Sequence, residues 1–483
     1  MSTTTLPATP SAAPFDPASP RLGKLGLAVL LSGGFITIFD LFVVNVAIPS
    51  MQATLSASFA QINFIIAAYE LAYGVLLIAG SRLGDRHGRR RLFMLGMAGF
   101  AVASALCGLA PTPDTLIAAR ILQGAAAALL FPQVYALIRV SFEGHARRRA
   151  FGLLGMTLGL AAIAGQVLGG WIVHADLFGL AWRAIFLINL PLGLLACWLA
   201  RHIPESAEPS GAAMDWPGAA LVGLGLALLL LALIEGPAQQ WPAWTLACAG
   251  ASVVALAAFV RLQRRIAARG GVPLVDMDLL AQPRFAAGCL VVMLVFATAS
   301  AMFLCYALLV QTGFGLDALT AGMIFAPASV GFVAGSMVAP RLVARYGTRA
   351  IALAALLYGG ATAALMMQTG IGGASLSPWT LLPALVWLGA AQGAVNTPLV
   401  NLAMGLVDDR QAGMAAGVVS TLQQVGAALG VSAAGMLYGG ALEAYAEASA
   451  AERHAQAFAS AMQFNVAAIL VAAVLLWRLG RHR

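Results

Sequence analysis

The chain has 483 residues, of which 61% are hydrophobic and only 10% charged, and its mean hydropathy is +0.88. Because about a quarter of the residues of a soluble protein are charged, this composition excludes a soluble domain and predicts a polytopic helical membrane protein. The formal net charge of +8 is spread over separate short loops, so we expect no nucleic-acid partner.

Fourteen apolar segments are long enough to cross a bilayer as helices, which requires about 20 residues. Residues 1–22, rich in Pro, Ser, Thr and Ala, are predicted to be a disordered cytoplasmic tail. The longest connection, roughly 263–284, is predicted to be a cytoplasmic linker, and no connection has room for a folded soluble domain. The predicted spans are 24–48, 62–80, 92–110, 115–139, 150–173, 182–200, 217–234, 243–262, 285–311, 318–339, 350–370, 379–405, 414–440 and 460–478.

The arginines lie almost entirely in every second connection between these spans. Arg453 is the clear exception. Cationic loops stay in the cytoplasm, so the pattern predicts a multi-pass protein of the inner (cytoplasmic) membrane with both termini in the cytoplasm. The arginines that define the pattern are Arg82, Arg86, Arg89, Arg90, Arg91, Arg147, Arg148, Arg149, Arg201, Arg261, Arg264, Arg265, Arg269, Arg284, Arg341, Arg345, Arg349 and Arg410.

Two stretches repeat weakly between the halves of the chain. Residues 82–90 resemble residues 341–349, and Gly152 with Gly165 matches Gly417 with Gly430 at the same separation. Internal repeats of this kind are typical of secondary transporters. The predicted fold class is an all-α polytopic membrane protein with two six-helix bundles plus two extra helices. The bundles are predicted at 23–201 and 285–483, and the two inserted helices and the linker at 202–284.

Among the ionisable side chains of the predicted spans, three stand out: Asp40, Glu70 and Arg120. A charge at mid-helix costs at least ~2.5 kcal/mol and marks a functional candidate. At ~1.5 Å per residue, all three lie at a similar depth in the outer half of the membrane. We expect one carboxyl to pair with Arg120 and the other to load and release a proton. A static pair, and a carboxylate facing a water-filled vestibule, are the structural alternatives.

The last six spans contain no charged residue or histidine within their apolar cores, only amides. The second half is therefore predicted to supply a neutral wall to a cavity for flat, lipophilic and often cationic compounds. Aromatic side chains that face lipid or pack between helices are the alternative. The predicted cavity residues are Phe39, Tyr69, Tyr73, Gln123, Phe131, Tyr135, Phe303, Tyr306, Phe325, Trp387, Gln392 and Asn396.

Residues 81–91 read Ser-Arg-Leu-Gly-Asp-Arg-His-Gly-Arg-Arg-Arg and resemble the signature between spans two and three of the major facilitator superfamily. Residues 39–49, 120–124 and 182–191 resemble its fourteen-span drug:proton antiporter branch. The resemblance implies the major facilitator fold and alternating access. It also implies proton-coupled export of small lipophilic or cationic compounds, as in multidrug or antibiotic efflux. Asp40 and Arg120 both fall in the family signatures, so the resemblance implies that these two residues form the pair. Glu70 would then carry the proton, an assignment slightly favoured over the one in which Asp40 carries it.

The resemblance also implies a conformational latch at the cytoplasmic mouth that ties the bundles together in one conformation. Its predicted residues are Asp85, Arg86, Gly88, Arg89 and Arg90. A cluster of arginines that only sets topology is the alternative.

The chain departs from the family pattern in the antiporter signature of span five, which carries a Gly-Pro pair. Here the residues are Gly165, Gln166, Gly169 and Gly170, with Gln166 in place of the proline. The glycine spacing still permits close helix packing. The substitution keeps open a dedicated exporter, or a proton-coupled importer, of one endogenous metabolite.

Sequence features that would indicate an enzyme, an ATP-driven pump or a channel are absent. The sequence has no phosphate loop, and its histidines lie in loops or at span ends, so we expect no enzyme, cofactor or metal site. The five cysteines, all within apolar segments, are predicted to be core residues. A channel would need a filter or a pore-lining ring. A non-transporting membrane sensor or assembly protein is the remaining alternative of another class. The expected partners are the lipid bilayer, protons and a small-molecule substrate, and we expect a monomer.

Overall fold

The computed structural model describes residues 22–207, 215–407 and 412–480. Apart from Leu22, the predicted N-terminal tail lies outside these residues. A helix occupies each of the fourteen predicted spans. These helices are Lys24–Leu55 (α1), Phe59–His87 (α2), Arg89–Leu109 (α3), Pro113–Ser141 (α4), Gly144–His174 (α5), Ala181–Ala200 (α6), Trp216–Ala238 (α7), Ala243–Ala268 (α8), Pro283–Gly313 (α9), Ala318–Tyr346 (α10), Thr348–Gly372 (α11), Leu382–Met404 (α12), Ala412–Ala444 (α13) and Ala450–Leu479 (α14).

Thirteen of the described helices are long and apolar enough to cross a membrane. The helix outside that set is α12, which contains the amides Gln392, Asn396 and Asn401. It nevertheless packs between α10 and α11, at the position of the twelfth predicted span. The protein is therefore an all-α membrane protein, and its least apolar long helix carries the amides assigned to the neutral wall.

Local chemistry sets several helix ends. Ser58 and Gln61 form a capping box at the start of α2, which satisfies backbone N–H groups that have no partner in the helix. Asp317 caps α10, where the Thr320 hydroxyl donates at 2.7 Å and the Thr320 backbone N–H at 3.0 Å. These two hydrogen bonds, the hydroxyl first, lower the pKa of the Asp317 carboxyl.

The repeated stretches form equivalent turns. Gly88, with φ of 104°, separates α2 from α3, and Gly347, with φ of 62°, separates α10 from α11. Both values fall where only glycine is free of steric strain. The weak repeat in the sequence therefore corresponds to the same helix junction in each half.

Helix packing follows the same duplication. In the first bundle (α1–α6), α1 packs on α5, α2 and α3 pack on α4, and α3 packs on α6. The corresponding pairs recur in the second bundle (α9–α14), where α9 packs on α13, α10 and α11 on α12, and α11 on α14. The bundles meet mainly where α2 contacts α13 and α5 contacts α10. The exact domain boundaries stay a prediction.

The inserted helices α7 and α8 pack on each other, and α7 also contacts α2 and α13. A polar network holds their arginine-rich end. The Gln263 amide donates to the Asp215 carboxylate at 2.6 Å, and Arg82 of α2 donates to the Pro273 carbonyl in the linker at 2.6 Å. The inserted pair is thus fixed to the first bundle by polar as well as apolar contacts.

The helix bundle has two chemically different ends. We call the end that carries the arginine-rich connections the basic end, and the other the opposite end. At the opposite end the bundles are in contact: Phe59 of α2 stacks on Tyr438 of α13 with centroids 5.8 Å apart. The Gln311 amide of α9 also donates to the Val46 carbonyl of α1 at 3.0 Å. The interface between the bundles is therefore closed at the opposite end.

The α5–α10 contact does not extend to the basic end. Near the opposite end, a Cβ on Gly170 of α5 would lie 2.5 Å from the Ala318 carbonyl oxygen of α10. Nearer the basic end, a Cβ on Gly152, Gly155 or Gly159 of α5 would meet no atom within 4 Å. The bundles are in close contact along one half of α5, and the other half has open space beside it.

Candidate functional site

Asp40, Arg120 and Gln123 form a buried polar triad between α1 and α4. Arg120 Nη1 donates to Asp40 Oδ2 at 2.5 Å and to Gln123 Oε1 at 2.7 Å, and Gln123 Nε2 donates to Asp40 Oδ1 at 2.8 Å. Arg120 and Gln123 are three residues apart and therefore lie on the same face of α4. Each side chain bonds to the other two, so the triad is closed.

Residues around the triad make further contacts with the Arg120 guanidinium. Arg120 Nε donates to the Ile65 carbonyl of α2 at 3.2 Å. The Tyr69 ring lies against the guanidinium, with the Arg120 Cζ 4.1 Å from the ring centroid. Asp40 and Arg120 are both almost fully buried. Breaking such a pair by removing one partner costs about 3–5 kcal/mol, because a buried charge is left unpaired.

Glu70 lies outside this triad and contacts the second bundle instead. The Ser300 hydroxyl of α9 donates to Glu70 Oε1 at 2.6 Å, while Glu70 Oε2 has no hydrogen-bond partner among the described residues. Glu70 is 3% exposed, so the alternative of a carboxylate in a wide vestibule is wrong for this conformation. Of the three predicted ionisable residues, only Asp40 and Arg120 are in contact.

Ser300 was not among the predicted site residues, because it is a small polar residue within an apolar helix and carries no charge. The ring contact between the bundles, Phe42 with Phe303 at 4.8 Å between centroids, involves one predicted cavity residue, Phe303. Its partner Phe42 was not predicted, because a phenylalanine in an apolar helix does not by itself indicate a contact between the bundles.

The predicted cavity aromatics divide into two rows. In the first bundle, Tyr73 contacts Phe131 and Phe131 contacts Tyr135, at 6.0 and 5.3 Å between centroids. In the second, Phe325 contacts both Phe303 and Tyr306, at 5.1 and 4.9 Å. Within the first row only Tyr135 is strongly exposed, at 41%. Tyr135 also contacts Phe151 of α5, at 6.0 Å between centroids.

Four predicted cavity residues of the first bundle are buried. Tyr73 packs between Tyr69 and Phe131. Tyr69 covers Arg120, Gln123 belongs to the triad, and Phe39 packs on Phe35. Each is at most 5% exposed. Their prediction as cavity-lining residues is wrong for this conformation, because their surfaces are occupied by other side chains.

The amides and the tryptophan on α12 differ in their positions. Gln392 is buried, and Asn396 Oδ1 has no hydrogen-bond partner among the described residues. Trp387 packs on Gly360 of α11 and lines a groove with Trp477 of α14. It points away from the interface between the bundles, so its prediction as a residue of a central cavity is wrong.

Several predicted latch residues contact other residues of the first bundle. Arg89 pairs with Asp85 at 2.7 Å, and Arg90 lies 3.6 Å from Glu205, which follows α6. Gly88 lies at the α2–α3 junction beside Glu205, and Arg86 is exposed. The cluster therefore joins α2 and α3 to the segment after α6, and its role as a latch stays a prediction.

The glycine motif of α5 packs on both bundles. Gly165 and Gly169 lie against Phe42 and Val43 of α1, whereas Gly170 lies against α10. Gln166 is buried, and its carbonyl oxygen would lie 2.6 Å from a Cβ on Gly322 of α10. Gln166 therefore takes part in the close α5–α10 contact without a proline.

No group of three or more His, Cys, Asp or Glu side chains within the described ranges is placed to hold a metal ion. The buried ionisable groups that matter for the candidate site are instead those of the triad and the carboxyl of Glu70.

Comparison with known proteins decides the family. The family model of the Major Facilitator Superfamily matches residues 30–431. The chain belongs to the major facilitator superfamily. It is accordingly a multi-pass membrane transporter and not an enzyme, and the predicted fold class is confirmed.

Named relatives and solved structures agree with this family. The chain is 36% identical over 425 residues to a probable actinorhodin transporter of Streptomyces coelicolor, covering 88% of this chain and 74% of that protein. It is 34% identical over 461 residues to a puromycin resistance protein of Streptomyces alboniger, and the match covers 94% of this chain and 90% of that protein.

Among solved structures, a peptide transporter bound to sulfate shares 14% identity at a TM-score of 0.68, covering 96% of this chain and 97% of that one. A bacterial homologue of the human lysosomal transporter Spinster, in an inward-facing conformation, shares 16% sequence identity at a TM-score of 0.66. The match covers 94% of this chain and 96% of that one. At these identities the structural likeness shows the fold of this major facilitator protein and no more.

Proposed function

We propose that this major facilitator protein is a proton-driven exporter of small lipophilic, often cationic compounds such as antibiotics. It works as a monomer by alternating access in the cytoplasmic membrane, with the basic end and both termini in the cytoplasm. Relatives named as an actinorhodin transporter, a puromycin resistance protein and a cephamycin export protein support export. The arginine pattern supports the orientation.

The observation that carries proton coupling is the Glu70–Ser300 hydrogen bond. It joins a membrane-buried carboxyl of the first bundle to a hydroxyl of the second. Adding or removing a proton on Glu70 changes the strength of a contact that exists only while the bundles are closed at this depth. Glu70 is therefore the group that loads and releases the proton.

Asp40 and Arg120 have a different role in this proposal. Their closed triad with Gln123 keeps both charges paired inside the membrane. It holds α1 and α4 in one arrangement and leaves a fixed dipole close to Tyr69 and Glu70. A proton that enters through Glu70 at a potential of 100 mV supplies ~2.3 kcal/mol for export.

Alternating access requires the closed opposite end to open. We propose that the basic end then closes, and that Asp85 with the arginines of the α2–α3 junction contacts the second bundle as the latch. In this conformation Asp85 pairs with Arg89, and Glu205 lies close to Arg90, both within the first bundle.

The test measures proton release from inverted vesicles that are acid inside. Puromycin, several lipophilic cations and neutral antibiotics are added in turn, while a pH-sensitive dye follows the interior. An antiporter responds to several unrelated compounds. We expect Asp40→Asn and Arg120→Ala to abolish the response and Glu70→Gln to remove its pH dependence.

A matched control uses a carboxyl at the end of α7. Glu235 bonds to Gln239 of the same segment and lies far along the chain from the triad, so Glu235→Gln should behave like the wild-type protein. Normal proton release from Asp40→Asn, Arg120→Ala and Glu70→Gln would contradict the assignment. Silence across the panel, with protein present in the membrane, would favour a carrier of one metabolite, to which Gln166 in place of proline already points.

A further inference from the structure

A groove of about 720 Å³ runs along the outside of the second bundle, between α10, α11 and α14, with α12 as its floor. Its walls are almost wholly apolar and include Leu342, Leu357, Trp387 and Trp477. Arg349 is the charged residue of its lining. The groove faces away from the interface between the bundles, so the transport site described above does not use it.

The groove is one membrane leaflet deep. It begins beside Tyr346 and Arg349 at the basic end and reaches Ala334 of α10. The twelve residues from Tyr346 to Ala334 span ~18 Å at the helical rise of 1.5 Å. Half of a hydrocarbon core of about 30 Å is ~15 Å. An acyl chain of one leaflet therefore fits the length of the groove.

Three exposed arginines lie at the mouth of the groove. Arg341, Arg345 and Arg349 are all exposed, and none forms an ion pair with a carboxylate of the described residues. The neighbouring Arg345 guanidinium lies over the Tyr346 ring, at 5.3 Å. Three cations at one end of an apolar groove match a ligand with an anionic head and an apolar tail.

The equivalent junction in the first bundle is neutralised by the protein itself. There Asp85 pairs with Arg89, and Glu205 lies close to Arg90. In the repeat, the position of Asp85 is taken by Ala344. Two copies of the same arginine-rich turn thus differ in composition: the first contains Asp85, whereas residues 341–349 contain no acidic residue. The exposed arginines of the second turn are therefore available to an external anion.

We propose that the groove binds an anionic glycerophospholipid of the leaflet at the basic end. One acyl chain lies against Leu342, Leu357 and Trp387, and the phosphate is bound by Arg349 with help from Arg345 and Arg341. Guanidinium groups bind phosphate oxygens in a bidentate geometry. Three arginines also favour a headgroup with a net negative charge over a zwitterionic one, because they repel its ammonium group. Basic pockets between transmembrane helices recognise anionic headgroups in this way.

The test is native mass spectrometry of the full chain purified in a neutral detergent. Phosphatidylglycerol and phosphatidylcholine with the same acyl chains are added separately, and the fraction of protein with one bound lipid is measured. We expect tighter binding of phosphatidylglycerol. Arg349→Gln should weaken it about fivefold and weaken the binding of phosphatidylcholine less.

Two further variants separate a built site from general attraction. Ala334→Trp fills the groove with a side chain at an exposed position, so it should weaken the binding of phosphatidylglycerol without disturbing the fold. Arg269→Gln removes an exposed arginine at the end of α8, outside the groove, and should have no effect. Equal binding of both lipids, or loss in Arg269→Gln equal to that in Arg349→Gln, would overturn the proposal. Unchanged binding in Ala334→Trp would also overturn it.

Discussion

Replacing Ser300 with alanine should shift the protein away from the conformation described here. The change removes the 2.6 Å hydrogen bond to Glu70 Oε1 and leaves both carboxyl oxygens without a partner among the described residues. A hydrogen bond to a charged group contributes about 1.5–3 kcal/mol. Because the bond joins α2 to α9, its loss destabilises only conformations in which the bundles are in contact. The ratio of closed to open opposite ends should fall roughly 10- to 100-fold, at 1.4 kcal/mol for each factor of ten.

The assay is a distance measurement between spin labels at the opposite end. Leu109→Cys at the end of α3 is 69% exposed, and Gly440→Cys in α13 meets no atom within 4 Å, so both sites accept a label. The half-buried Cys197 and Cys248 are replaced by alanine beforehand. The Ser300→Ala variant should show a larger population at long distance than the wild-type protein.

The matched control is Ser432→Ala in α13, whose hydroxyl donates to the Ala428 carbonyl of its own helix at 3.0 Å. That bond does not join the bundles, so its loss should leave the distances unchanged. Glu70→Gln keeps an oxygen that accepts from Ser300 but loses the charge, so its shift should be smaller than that of Ser300→Ala. Identical distance distributions in Ser300→Ala and the wild-type protein would refute this reasoning.

Three further predictions follow from other contacts. Arg120→Ala leaves Asp40 unpaired and should lower the thermal stability, at a cost of about 3–5 kcal/mol, and adding Asp40→Asn should restore part of it; additive losses would contradict the pairing. Gly170→Ala places a Cβ 2.5 Å from a carbonyl of α10 and should lower the transport rate, whereas Gly152→Ala, which meets no atom within 4 Å, should not. Asp317→Ala removes the cap of α10 and should cost about 1 kcal/mol at neutral pH. Since the pKa of Asp317 is lowered in the folded protein, this contribution is present above the unfolded-state pKa and is lost as the pH falls through the folded-state pKa. The difference in Tm between variant and wild type should therefore shrink in acid, and a constant difference would contradict the capping role.

The number and order of the helices could be predicted because each crossing requires a long apolar segment. The ends could not: α2 runs from Phe59 to His87, whereas its predicted span was 62–80, and α5 begins at Gly144 instead of residue 150. Apolarity marks the part of a helix inside the hydrocarbon core. Capping residues and polar turns, such as Ser58 before α2, extend the helix beyond that part.

The candidate site was only partly predictable, for a different physical reason. Asp40 and Arg120 stand out because charges are costly in a membrane, and the structure brings them together. Glu70 stands out equally, but its partner Ser300 does not, because the rotation of α9 about its axis is set by packing. The same uncertainty in rotation explains Trp387, which has the residue type of a ligand contact but lies on the far face of α12.

The inserted helix α7 covers one of the two seams between the bundles. Leu226 packs with Val75 of α2 and Val425 of α13, and Leu230 packs with Ala67 of α2 and Ala428 of α13. One seam between the bundles is therefore covered by protein, and lateral entry from lipid along it is blocked. The seam between α5 and α10 has no such cover over the half nearer the basic end, where Gly152, Gly155 and Gly159 border open space. The described contacts between the bundles are therefore asymmetric within the plane of the membrane, with protein over one seam and open space along part of the other.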